Sequence, residues 1–132
     1  MTERRLVVDA SIWVNAVVLG LPVPTLEACE ANAPTQVDYE FLQAARRLAR
    51  SGVCTDEHAT AAVTAFAELT ITRHEAQFLM EHAWALRHTL TTYDASYVAL
   101  AIALGVPLLT ADQRLARTAS QWCDVVGVVN RP

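Results

Sequence analysis

"TTYDASYVALAIALGVPLLTAD" (91–112) decides how the rest of the chain is read. From Asp94 an alanine-rich apolar run reaches Leu104 and is stopped by Gly105, the residue that most readily ends a helix. "VPLLT" (106–110) follows at once, a short apolar run of strand character. Helix, glycine and strand in that order make one unit of an α/β fold. An aspartate stands near each end, Asp94 and Asp112. Acids at the margins of so core-like a segment either cap helices or are gathered to hold a cation.

Working outward, "RLVVDA" (5–10) predicts a buried parallel strand, because it is short, apolar and β-branched. Residues 11–20 read as a helix stopped by Gly20, with a proline-bearing loop through about Pro34. Val37, Phe41, Ala45, Leu48 and Ala49 recur at helical spacing up to Gly52. Thr55 then predicts an N-cap, with Asp56 and Glu57 favoured in the first turn by the helix dipole. "LTITR" (69–73) reads as a strand, 75–88 and 93–104 as helices, and "DVVGVV" (124–129) as a last strand. Strands separated by helices predict an α/β fold with a parallel sheet between helical layers.

The 132 residues suit one domain, residues 1–132, around one core. Hydrophobic residues make up 53% and charged residues 18%, which argues against disorder. No apolar run approaches the roughly 18 residues that suggest a membrane span. "MTERRLVVDAS" has neither the apolar core nor the cleavage site of a signal peptide, so a cytoplasmic protein is expected. Cys29, Cys54 and Cys123 are not at metal-ligand spacing, and reduced thiols are expected. His58, His74, His82 and His88 are too far apart along their helices to share an ion.

A net charge of −4 does not by itself suggest a nucleic-acid binder, although a bound cation would offset clustered acids. All ten basic residues are arginine. A receiver domain, whose chemistry uses a lysine, is therefore excluded. A haloacid-dehalogenase-like phosphatase wants a second aspartate where Ser11 stands, and "DASIW" lacks the glycine-rich turn of a dinucleotide site.

Ligands of parallel sheets sit at the carboxyl ends of strands. Asp9 ends the first strand, Asp112 follows "VPLLT", Asp94 opens a helix and Glu40 lies near the start of another. Each has a plainer reading. Asp9 and Asp94 can serve helix starts, Asp112 can make an Asx-turn, and Glu40 can be a solvated helix acid. The combination points to a hard cation such as Mg²⁺, which takes oxygen ligands and suits phosphodiester hydrolysis.

"VVDASIWV" (7–14), "VDYEFLQAARRLARSG" (37–52) and "TTYDASYVALAIALGVPLLTADQRLA" (91–116) closely resemble PIN-domain ribonucleases, specifically the VapC-type toxins of bacterial toxin–antitoxin pairs. The resemblance covers nearly the whole chain. It implies a three-layer α/β/α PIN-like domain with a central parallel sheet. It also implies a Mg²⁺- or Mn²⁺-dependent endoribonuclease that uses activated water and leaves a 3′-hydroxyl and a 5′-phosphate. Asp9, Glu40, Asp94 and Asp112 fall on the acidic quartet of that family, and Ser11 and Thr110 fall where hydroxyls often accompany it. Some members carry a further acid after the fourth; here Gln113, Arg114, Leu115 and Ala116 follow instead.

Arg46, Arg47 and Arg50 follow Glu40, and Arg114 and Arg117 follow Asp112; guanidinium forks at these places could grip RNA phosphates. The family also implies a VapB-like antitoxin and a toxin homodimer. An apolar antitoxin segment is expected in a groove near residues 37–66, with a basic side chain reaching the acids. The rival expectation is a catalytically inactive PIN-fold binding module, which a metal titration would separate from the enzyme.

Overall fold

The computed structural model describes residues 4–127. Strands β1 (Arg4–Val8), β2 (Cys29–Pro34), β3 (Thr72–His74), β4 (Leu108–Thr110) and β5 (Val125–Gly127) form one sheet in the order β3-β2-β1-β4-β5. Every pairing in it is parallel. Leu6, Val7 and Val8 of β1 are all fully buried although they alternate between faces. That pattern requires a helical layer on each side of the sheet.

On one side, α6 (Thr92–Leu104) packs on β1, β2 and β4, with α5 (Ala76–Ala85) stacked on α6. Alanines at 95, 99 and 101 let α6 approach the sheet closely, and all three are buried. Gly105 ends α6 in the left-handed region at φ +66°, and the Val106 N–H turns back to the Ala101 carbonyl at 3.1 Å. The other helical layer holds α1 (Ala10–Trp13), α3 (Val37–Arg50) and α4 (Asp56–Ala67), which pack on one another. Phe66 of α4 stacks on Phe41 of α3 at 4.0 Å and meets the edge of Trp13 at 6.0 Å. Thr55 caps α4 as expected, accepting the His58 N–H at 3.1 Å. Two short helices, α2 (Pro24–Glu27) and α7 (Gln113–Ala119), complete the described chain.

Four expectations change. The loop expected through Pro34 contains β2, "CEANAP", which lacks β-branched residues. It is a strand because it lies between β1 and β3 and pairs with both. The strand expected at 69–73 is β3, displaced to Thr72–His74 by its pairing with residues 32–34. The helix expected at 11–20 is α1 followed by a π-helical turn, Val14–Val18. The helix expected at 75–88 ends at Ala85 and gives way to turns. The last strand is found at Val125–Gly127; positions 128 and 129 of that expectation lie outside the described residues.

Candidate active site

β1 lies at the middle of the sheet, and the chain places β2 on one side of it and β4 on the other. A crevice opens at the carboxyl ends of strands where the topology diverges in this way. A cavity of about 790 Å³ lies there. Asp9, Ser11, Glu40, Asp94 and Asp112 all line it, so residues from β1–α1, α3, α6 and the β4–α7 junction share one space.

Asp9 is 8% exposed and sits between β1 and α1. It is both a helix cap and a wall of the cavity. Its Oδ1 accepts the Ser11 N–H at 2.8 Å, and its Oδ2 accepts the Thr110 hydroxyl. Thr110 is fully buried and also accepts the Asp112 N–H at 3.0 Å, while the Ser11 hydroxyl accepts the Ala111 N–H at 3.0 Å. The two hydroxyls therefore tie the end of β1 to the end of β4. Burial pushes the Asp9 carboxyl above its ordinary range; the hydrogen bonds from Thr110 and Ser11 oppose this, and the nearby Asp112 adds to it.

Glu40, in the first turn of α3, accepts the Tyr97 hydroxyl at 2.6 Å. Burial raises its carboxyl too, against the Tyr97 hydrogen bond, and the charges of Asp9 and Asp94 raise it further. Tyr97 is pushed upward by burial and then by the Glu40 charge, so it remains a protonated donor.

Asp94 lies in the first turn of α6, where the Thr91 hydroxyl caps its N–H at 3.2 Å. Asp112 caps α7, its Oδ1 accepting the N–H groups of Arg114 at 3.0 Å and Leu115 at 3.1 Å. Arg114 Nη2 stands 3.1 Å from Asp94 Oδ2 and 3.6 Å from Asp112 Oδ2. Among the described residues, no three Asp, Glu, His or Cys side chains converge closely enough to share an ion directly. The donor set, all carboxylate oxygen with hydroxyls beside it, nevertheless fits a hard cation. Mg²⁺ needs only one or two protein carboxylates when waters and substrate phosphate complete its shell.

The arginines divide. Arg47 lines the acid cavity and Arg114 bridges two of its acids. Arg46 and Arg50 instead line a separate groove of about 410 Å³ between α3 and α4. No histidine lines the acid cavity: His74 meets Asn32 Oδ1 at 2.9 Å and His58 meets the Val18 carbonyl at 2.6 Å. Sequence reasoning missed Tyr97 and Asn15, both in the cavity wall. The signal was present in each case. Tyr97 is three residues beyond Asp94 and Asn15 four beyond Ser11, spacings that share a helical face.

A model of the PIN domain family matches residues 6–121. Ribonuclease VapC1 of Mycobacterium tuberculosis is 41% identical over 129 residues, covering 90% of this chain and 94% of the relative. Ribonuclease VapC9 of the same organism is 37% identical over 124 residues, covering 93% and 98%. Among solved structures, VapBC2 from Rickettsia felis bound to a promoter DNA fragment superposes with a TM-score of 0.62 at 13% identity, covering 93% of this chain and 98% of that one. VapC20 of Mycobacterium tuberculosis, a toxin that cleaves the sarcin–ricin loop, superposes with a TM-score of 0.56 at 18% identity, covering 85% and 93%. These two likenesses speak to the fold, whereas the family match and the identities to VapC ribonucleases speak to descent. The chain belongs to the PIN-domain family, within its VapC ribonuclease branch.

Proposed function

We propose that this protein is a divalent-metal-dependent endoribonuclease acting as the toxin of a toxin–antitoxin pair. The observation that carries this reading is the single cavity lined by Asp9, Glu40, Asp94 and Asp112, drawn from four separate parts of the chain. A Mg²⁺ or Mn²⁺ ion held by one or two of the carboxylates of Asp9, Asp94 and Asp112, with waters and substrate phosphate completing its shell, would supply Lewis-acid activation of water and neutralise charge on the phosphate. The chain's own groups do the rest. Thr110 and Ser11 fix the Asp9 carboxylate. Tyr97 holds one Glu40 oxygen, and burial makes that carboxyl a stronger base than an exposed one. Glu40 is thus suited to accept a proton from the attacking water. Arg47 at the cavity wall can anchor a flanking RNA phosphate. Water adds to phosphorus and the bond to the 3′-oxygen breaks; that oxygen takes up a proton to become the 3′-hydroxyl of the upstream fragment, and the phosphate stays as the 5′-phosphate of the downstream fragment.

Two surfaces suit the partners this reading requires. The α3–α4 groove offers Leu42, Ala49 and Val63 beside Arg46 and Arg50, and would receive an apolar segment of a VapB-like antitoxin. The outer face of α5 exposes Phe78, Met80 and Trp84 and would serve a homodimer.

The test is RNA cleavage by the purified chain in EDTA, Mg²⁺ or Mn²⁺, with the new ends mapped. Cleavage only with divalent ions, leaving 3′-hydroxyl and 5′-phosphate ends, is expected. Undiminished cleavage in EDTA would remove the metal from the reading. No cleavage under any of these conditions would favour the inactive binding module.

A further inference from the structure

We infer that Arg114 is an internal counter-ion of the acid cavity, which must leave its seat between Asp94 and Asp112 before a divalent cation can be held there. The inference rests on the metal-binding reading above and adds a regulator to it. A single guanidinium nitrogen, Nη2, lies 3.1 Å from one carboxylate and 3.6 Å from the other. The two acids belong to different elements, the first turn of α6 and the cap of α7. A positive charge paired with both competes for two of the carboxylates that would hold the ion.

The way Arg114 is attached suits it to this exchange. Asp112 binds it twice, through Oδ1 to its backbone N–H and through Oδ2 to its guanidinium. The backbone bond belongs to the α7 cap and does not depend on the side chain. The guanidinium can therefore swing out while α7 keeps its start. The side chain is 63% exposed, so it leaves into water rather than into packed core. Ion pairs this exposed are weak, and a divalent ion with carboxylate ligands outcompetes them. Once displaced, the same fork is beside the cavity mouth, where the first anion to arrive is an RNA phosphate. One side chain would thus neutralise the acids before metal binds and the substrate afterwards.

The experiment measures free Mn²⁺ by its electron paramagnetic resonance signal during titration of the full chain. Wild type, Arg114→Gln, Arg117→Ala and Asp9→Asn are compared. Arg114→Gln should bind Mn²⁺ roughly three- to tenfold tighter than wild type, the range expected when one or two exposed ion pairs no longer compete. Arg117, on the same short helix but in no ion pair with these acids among the described residues, should leave the affinity unchanged when replaced by Ala. A merely structural role for Arg114 would loosen the metal instead of tightening it. At saturating Mn²⁺, Arg114→Gln should also raise KM for RNA more than it lowers kcat. Equal or weaker Mn²⁺ binding by Arg114→Gln overturns the inference while leaving the site standing. If wild type binds no Mn²⁺, or Asp9→Asn binds it as well as wild type does, the site itself falls and the inference falls with it.

Discussion

Helices α5 and α6 lie side by side and are both rich in alanine and large apolar residues, yet they end up in opposite circumstances. Residues 95–101 of α6 are all buried, because the sheet lies on one side and α5 on the other. Of α5 only Leu79 is buried; Phe78, Met80 and Trp84 are between 64% and 79% exposed. The acid cavity takes Tyr93, Asp94 and Tyr97 from α6 and nothing from α5. Apolar composition shows that a segment needs cover, but not whether the cover comes from its own chain or from another molecule.

The comparison breaks most visibly at Val98, which is fully buried in α6. Val98→Asp should cost about 4 kcal/mol or more, because it places an unpaired carboxylate in the core. Chemical denaturation should show a chain that is largely unfolded without denaturant. A stably folded variant would mean that α6 is not the core helix described here.

Asp94→Asn sharpens the contrast without unfolding anything. The amide keeps the shape and removes the charge, so RNA cleavage should fall by at least about 100-fold while the circular dichroism spectrum is unchanged. Retention of full activity would detach α6 from catalysis.

A pH series tests the contact between α3 and α6. The folded carboxyls of Glu40 and Asp9 are raised above their ordinary values. Folding therefore favours their protonated forms. The stability they contribute is present below the ordinary carboxylate range and is lost as pH rises through the raised values. In EDTA the wild-type Tm should decline with rising pH more steeply than that of Glu40→Gln, which keeps an acceptor for Tyr97. At neutral pH the variant should be the more stable of the two. A steeper decline in the variant would contradict the assigned direction.

The smallest effect on stability is expected on α5. Phe78→Ser with Trp84→Ser should change unfolding free energy by no more than about 0.5 kcal/mol per site, as is usual for exposed positions. The same pair should shift the protein toward monomer in analytical ultracentrifugation. Loss of folding instead would show that this face is covered within the chain.

Much of the fold was legible because local chemistry and tertiary context agree at α3, at the Thr55 cap and through α6, Gly105 and β4. β2 was illegible because its residues do not favour a strand. Its extended form comes from neighbours drawn from distant sequence, with Leu6 and Val7 on one side and Thr72 and Arg73 on the other. For the acids, sequence reasoning weighed capping against a site role as alternatives. Asp9 and Asp112 each cap a helix and line the cavity, so the two readings were not exclusive. Arg46 and Arg47 are adjacent in sequence but face different spaces, since one step along a helix turns a side chain by about 100°. No composition argument separates such a pair.

The hydroxyl of Thr110 reaches back to Asp9 across 101 positions of sequence. During synthesis β1 is made well before β4, its partner on one side. At about 5 to 20 residues per second, roughly 5 to 20 seconds separate the two. Over that interval the Asp9 carboxylate lacks its Thr110 donor, and Asp94 and Asp112 are not yet in place. The acid cavity of a growing chain is therefore incomplete until β4 has emerged and paired with β1.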